Sequence, residues 1–298
     1  MNCIFCGQDS SNSKSVEHIV PESFGNKTAI LRKGIVCDKC NNYFARKVEQ
    51  PFLESDAVRI LRQELEVENK RGKLIKDYAY PRTGEEYVKQ IHEDEFLIYT
   101  KVDKTTEKLA AAVAEYKQYL SASDKILFEE NAYTSRLLAK MAVEYFVYIC
   151  NSLDEVCDYV ASDEVFQAIR QYARYGSRKI WKYNARRIYA RNEAYEGDPF
   201  RAINWEADLL LLGNGEIYFI IVMFGIEYAI CMNGPMMDGY KKWLKNNHGT
   251  SPLYVSKDTR VRSIEEYVEN MFSEEQKEDF RQLMSTKSSP NDKHTKLS

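Results

Sequence analysis

The 298-residue chain is short of several things, and each shortage excludes something. It has no apolar run near the ~18–20 residues that a membrane-spanning helix needs; its longest, Ile217 to Ile226, is of strand length. It has no strong excess of either charge: 42 Lys and Arg stand against 45 Asp and Glu, a net of −3. No global field therefore draws it to nucleic acid, and any such affinity must rest on local patches. Histidines number only four, His18, His92, His248 and His294, so imidazole chemistry has few places to sit. No charged and apolar leader follows Met1, which points to a cytoplasmic protein. With no leader and seven cysteines, an odd number, a disulfide framework fits poorly. Internal repeats and long linkers are missing too. What remains is a chain with 44% hydrophobic residues, enough to build one large core or two smaller ones.

Four of the cysteines form two C-x2-C pairs, Cys3-Ile4-Phe5-Cys6 and Cys37-Asp38-Lys39-Cys40. A two-residue spacer lets both thiolates of a knuckle face one ion, so the set Cys3, Cys6, Cys37 and Cys40 predicts a tetrahedral structural zinc. A redox reading would need a thioredoxin-like βαβ context, and none follows. Zinc would also fold a segment too short to build a core of its own. Cys150, Cys157 and Cys231 lie in apolar surroundings and read as buried small hydrophobes.

Between the two pairs sits Glu17-His18-Ile19-Val20-Pro21. His18 is the one histidine inside the frame. A regular strand would hold Glu17 and His18 on opposite faces unless a bulge or a strand end re-aims one of them. A lone Glu-His pair is most often an ordinary surface pair or a satisfied histidine. Asn41, directly after the second knuckle, is a good helix N-cap on its own merits.

In this order, however, the segments resemble the HNH endonucleases. The sequence runs knuckle, Glu17-His18-Ile19-Val20-Pro21, Phe24-Gly25-Asn26, then Gly34 to Cys40 and Asn41-Asn42. It is similar to the branch in which a ββα-metal core is braced by two zinc knuckles, and the similarity covers about residues 1–49. The resemblance implies that His18 is the general base that activates water. It implies that Glu17 and Asn41 hold a catalytic divalent ion, Mg²⁺ or Mn²⁺. It further implies hydrolysis of DNA to 5′-phosphate and 3′-hydroxyl ends, and a setting in bacterial defence or mobile elements. A neutral imidazole accepts a proton near neutral pH, and carboxylate and amide oxygens are hard ligands. One departure stands out. The middle Asn of the family pattern falls at Lys33-Gly34 here, so its bracing task passes to Asn26, to Asn42 or to a backbone contact.

The remainder reads as helices and a small sheet. Pro51 is expected to end the first helix, and Glu54 to Lys70 reads as another. Short strands are expected at Tyr78 to Pro81 and Phe96 to Thr100. Residues 104 to about 175 read helical, clearest over Tyr133 to Asn151, whose apolar residues cover most of its surface. Arg170 to Arg191 contains eight basic residues and no acid, interleaved with Tyr172, Tyr175, Trp181, Tyr183 and Tyr189. Such a stretch suits phosphate contact and base stacking, or equally a solvated helix face leading into a strand. The candidate nucleic-acid contacts are Lys33, Lys39, Arg46 and Lys47 in the first segment, and Arg178, Lys179, Lys182, Arg186 and Arg187 in the second. Trp205 to Leu212, Glu216 to Phe224 and Ile226 to Met232 read as an antiparallel meander, turning at Gly213-Asn214-Gly215 and at Gly225. Glu206, Asp208, Glu216 and Glu227 are expected at its outward-facing positions. Ser263 to Met284 reads helical, and 285–298 reads as a disordered tail.

The expected fold class is α+β. An N-terminal zinc-braced ββα-metal finger, treble-clef-like, spans 1–50. A mainly helical domain with a small antiparallel sheet follows over 51–284. The expected function is a metal-dependent endonuclease acting on double-stranded DNA, possible as a homodimer because cutting both strands uses two sites. Two other readings compete. One is a non-catalytic zinc-bound DNA-binding module. The other is an effector whose second domain binds a ligand or protein and gates the finger.

Overall fold

Two knuckles frame a ββα unit, and among the described residues its core is continuous with that of the helices and sheet. The computed structural model describes residues 1–24, 26, 28–64, 87–92, 95–100, 130–188 and 205–253. The expected strand at 78–81, helical residues 65–70 and 104–129, the helix at 263–284 and the tail lie outside the described residues.

The finger holds two short antiparallel strands, β1 (Glu17–His18) and β2 (Ile30–Leu31), with Glu17 opposite Leu31 and His18 opposite Ile30. Helix α1 (Asp38–Phe44) starts within the second knuckle, capped by Cys37. The chain then stays helical through a π-helical turn (Ala45–Glu49) and α2 (Gln50–Leu53). This corrects the expectation that Pro51 ends the first helix. Proline is tolerated in the first turn of a helical segment, and widening the preceding turn makes room for its ring. After Glu54 and Ser55 the chain resumes as α3 (Asp56–Glu64).

Strands β3 (Tyr87–His92) and β4 (Glu95–Thr100) pair with each other as an antiparallel hairpin. Helix α4 (Ala132–Ile149) is the central helix of the second region. Asn131 caps it by accepting from the Thr134 amide, and every residue from Thr134 to Val147 is buried except the half-buried Arg136. The apolar pattern of Tyr133 to Asn151 thus marks a helix buried along its middle, with exposed positions at its ends, Tyr133 and Tyr148. Asn151 and Ser152, both at positive φ, turn the chain into α5 (Asp154–Ser162). Helix α6 (Glu164–Tyr175) follows and packs along α4.

A four-stranded antiparallel sheet completes the described fold. Its strands are β5 (Tyr183–Arg187), β6 (Glu206–Leu211), β7 (Ile217–Met223) and β8 (Ile226–Cys231), in the order β5-β8-β7-β6. Both turns of the meander fall where the glycines stand, with Gly215 and Gly225 at positive φ. Strand β7 is buried along its whole length. One face of the sheet joins the main core under α4. The other carries Leu210, Tyr218, Ile220 and Ala229 against Tyr240 and Trp243 of α7 (Asp238–Asn246). A strand covered on both faces has no alternation to show, which explains its continuous apolar run. Glu227 departs from the expected outward position. It is fully buried on the α7 side, where Arg186 Nε donates to it at 2.6 Å and Tyr240 also donates. Its Arg partner, at an edge strand, is what makes that burial tolerable.

The finger and the helices share one continuous core that runs from Cys3 to Met232. Phe24 of the finger meets Phe52 at 5.7 Å and Phe224, at the β7–β8 turn, at 5.1 Å, both edge to face. Among the described residues no helix is long and apolar enough to cross a membrane.

Candidate functional site

The zinc site is built first. The four sulfur atoms of Cys3, Cys6, Cys37 and Cys40 lie within 4.8 Å of one another. Cys6 Sγ and Cys37 Sγ are 3.7 Å apart, and a tetrahedron with Zn–S of ~2.3 Å has an edge of ~3.8 Å. Two backbone amides point at the sulfurs, Cys37 N to Cys3 Sγ and Cys40 N to Cys37 Sγ, each at 3.4 Å. Gly7, at φ 68°, supplies the left-handed residue that closes the first knuckle, its amide donating to the Cys3 carbonyl. Thiols this close cannot all ionise unaided. A hydrogen bond from Cys40 pulls the Cys3 thiol down to about 5, and the same contact pushes Cys40 far up. A divalent cation resolves the conflict, so the residues fit zinc. Cys150 and Cys157 are buried thiols pushed up to about 12 and about 11 by burial, and Cys231 likewise to about 11. All three behave as small hydrophobes.

The Glu17-His18 strand sits between the knuckles, and three contacts fix it. Asp38, at the start of α1, accepts from the amides of Lys14 and Ser15 at about 3 Å, which ties down the approach. Asn41, one turn on, donates through Nδ2 to the Val16 carbonyl at 2.8 Å. Asn41 therefore lies inside α1 rather than capping it, and its side chain reaches the residue before Glu17. The third contact is Asn26, which is fully buried. Its Nδ2 donates to the carbonyls of Val20 (2.8 Å) and Ala29 (3.0 Å), while Oδ1 accepts from the amides of Thr28 and Ala29. Every hydrogen-bonding site of that amide is used to clamp the loop between β1 and β2. Asn42, the other candidate brace, is exposed.

Glu17 points inward and is 6% exposed, whereas His18 is half-buried. The strand thus separates the two side chains, as period-two geometry requires. Glu17 Oε1 meets Lys140 Nζ of α4 at 2.7 Å. The same ammonium lies 2.9 Å from Glu49 Oε1, 3.0 Å from Glu144 Oε2 and 3.0 Å from the His18 carbonyl. Lys140 and Glu144 are fully buried. Burial alone would push the lysine down; the carboxylates of Glu144, Glu17 and Glu49 outweigh it and hold Lys140 well above the ordinary lysine range. Burial dominates for Glu144 and raises it well above the usual carboxylate range.

Sequence reasoning did not find Lys140, Glu49 or Glu144. The available signal was a Lys and a Glu four residues apart on a helix with no exposed face to put them on. It also did not foresee that Arg170 and Arg174, at the head of the basic stretch, turn into the finger. Arg170 Nη1 donates to the Ile4 carbonyl at 3.3 Å. Arg174 Nε reaches Cys40 Sγ at 3.3 Å, with its guanidinium 3.7 Å from the centre of the Tyr43 ring.

Comparison with known protein families finds one correspondence in this region. Residues 3–56 match the HNH endonuclease family. The match takes in both knuckles, the Glu17-His18 strand and the helix as far as α3. The α+β fold with a cysteine-braced HNH finger at its N-terminus follows from that match and the cysteine cluster together. No curated protein and no solved structure matches the chain in the parallel comparisons.

The other predicted contacts fall into two sets. Lys33, Lys39, Arg46 and Lys47 of the HNH segment are exposed, as are Arg178, Lys179 and Lys182. Arg186 is held by Glu227 and by the Gly249 carbonyl, and Arg187 Nη1 lies 3.5 Å from the Phe224 carbonyl.

Proposed function

We propose that this chain is a metal-dependent endonuclease that hydrolyses phosphodiester bonds of double-stranded DNA. The observation that carries the reading is the placement of Glu17-His18 on the first strand of a cysteine-braced ββα unit, clamped by Asn26 and Asn41, in a segment that matches the HNH endonucleases. His18 acts as general base: its half-buried ring takes a proton from the attacking water. Glu17 and Asn41 would hold Mg²⁺ or Mn²⁺. Their donor chemistry suits a hard cation, since the Asn41 amide nitrogen is engaged by Val16 and its oxygen remains the acceptor. When bound, such an ion supplies Lewis-acid stabilisation of charge at phosphorus. Asn26 and the Asp38 contacts keep the strand from moving while His18 works. The exposed basic residues Lys33, Lys39, Arg46 and Lys47, with Arg178, Lys179 and Lys182, serve phosphate contact. Arg186 and Arg187 contribute less, being held by protein acceptors.

Supercoiled plasmid incubated with the full chain in EDTA, Mg²⁺ or Mn²⁺ tests this. Nicking should appear only with the added ion, and DNA ligase should reseal the nicks, as 5′-phosphate and 3′-hydroxyl ends require. A gel shift without cleavage under every condition would instead support the non-catalytic DNA-binding module.

A further inference from the structure

We infer that Lys140 is a positioning residue for the Glu17-His18 strand, so that the nuclease site is completed by the second region and not by the finger alone. The inference rests on the endonuclease reading. Four observations carry it. First, one ammonium touches two consecutive residues of the candidate site, the Glu17 side chain at 2.7 Å and the His18 carbonyl at 3.0 Å. Fixing both the carboxylate and the backbone leaves little freedom at β1. Second, the same ammonium holds Glu49, at the end of the helical turn that follows α1. Strand and helix are the two walls of a ββα site, and Lys140 ties them to one point. Third, Glu144 lies one turn further along α4 and holds Lys140 itself in place. Fourth, the arrangement is costly. A fully buried cation with three carboxylates loses far more hydration than a set of apolar side chains of the same size would, and replacing such a cluster as a whole by apolar residues is often neutral or stabilising. Stability alone therefore gives no reason for an ion cluster at this place in the core.

The alternative is a purely structural ion cluster. The two differ in what happens to divalent-ion binding once the cluster is neutralised. Outer residues that orient a metal ligand typically change affinity or activity by about 10–100-fold when removed.

The test uses zinc-loaded full-length protein titrated with Mn²⁺, with the free ion followed by electron paramagnetic resonance, and cleavage measured in parallel. Lys140→Met leaves buried carboxylates without their cation and can fail to fold. The companion Lys140→Met/Glu49→Gln/Glu144→Gln removes two of those carboxylates, leaving Glu17 as the one buried charge, and keeps Glu17, His18 and Asn41. The expected result is a variant that retains its zinc and melts cooperatively, yet binds Mn²⁺ about 10–100-fold more weakly and loses cleavage in step. Mn²⁺ affinity and cleavage equal to wild type would overturn the role of Lys140 and leave the nuclease reading standing. A wild-type protein that neither binds Mn²⁺ nor cleaves would overturn both.

Discussion

The finger is held by two buried polar centres of opposite character. At one end four thiols from two local knuckles converge, brought together by their spacing in the chain. At the other, Lys140, with Glu144 one turn on in its own helix, gathers Glu17 and Glu49 from a segment that is distant in sequence. The first centre needs an ion from outside; the second carries its own cation in a side chain. The zinc centre could assemble from 40 residues. The lysine centre exists only when α4 is docked. The contrast teaches that the finger's frame is a local product, while the setting of its candidate catalytic strand is a tertiary one.

Stripping the zinc should have the largest effect. Structural zinc supplies ~10–16 kcal/mol of apparent binding energy in small fingers. A thiol-competing chelator should unfold the finger and, because its core is continuous with that of the helices, lower the melting temperature of the whole chain, read by circular dichroism. Survival of the full melting transition after complete zinc release would break the comparison at its first limb.

Next comes the lysine centre. Removing one partner from a buried ion cluster costs about 3–5 kcal/mol. Lys140→Met should lose that much in urea unfolding, and the loss should shrink when Glu49 and Glu144 are also neutralised. A loss of under about 1 kcal/mol in the single variant would mean that the cluster is wet and contributes little.

Glu144 sharpens the point through pH. Its folded-state pKa is raised by burial above the unfolded value. The stability attached to its protonated form is present in full below the ordinary glutamate range of ~4.3 and is lost as pH rises towards the raised folded value. Glu144→Gln should therefore gain on wild type as pH increases from about 4 upward, and match it in acid. Paired urea titrations at pH 4 and pH 8 measure this; a gap that narrows with rising pH would contradict the assigned direction.

Arg174 tests the zinc limb from outside. Its guanidinium meets both Cys40 Sγ and the Tyr43 ring, a cation–π contact worth ~0.5–2 kcal/mol with partial burial. Arg174→Ala should speed zinc release to a colorimetric chelator without unfolding the protein. The smallest effect belongs to Arg32 and Asp154, an exposed pair between finger and α5. Arg32→Ala should cost under about 1 kcal/mol, vanishing in high salt.

The same contrast explains what could be read from the sequence. The C-x2-C knuckles, the central helix and the three-stranded meander were legible because each is written in local spacing: two residues, an apolar surround, or glycines at turns. Glu17, His18 and Asn41 were legible as candidates through resemblance. The partners of a buried charge are not written locally. Nothing next to Glu17 names Lys140, 123 positions on, and Glu227 looked like a solvent-facing strand position until Arg186 and Tyr240 were seen around it. The basic stretch shows the same limit, since composition does not say that Arg170 and Arg174 turn into the finger. Pro51 was a local signal overridden by a wider helical turn.

The central claim is that His18 is the general base of a nuclease. The most direct measurement is the single-turnover cleavage rate of wild type and His18→Ala, at equal zinc content and saturating Mn²⁺. Loss of a positioned general base should slow cleavage by about 10²–10⁴-fold while DNA binding in EDTA is unchanged. Equal rates in the two proteins would contradict the account.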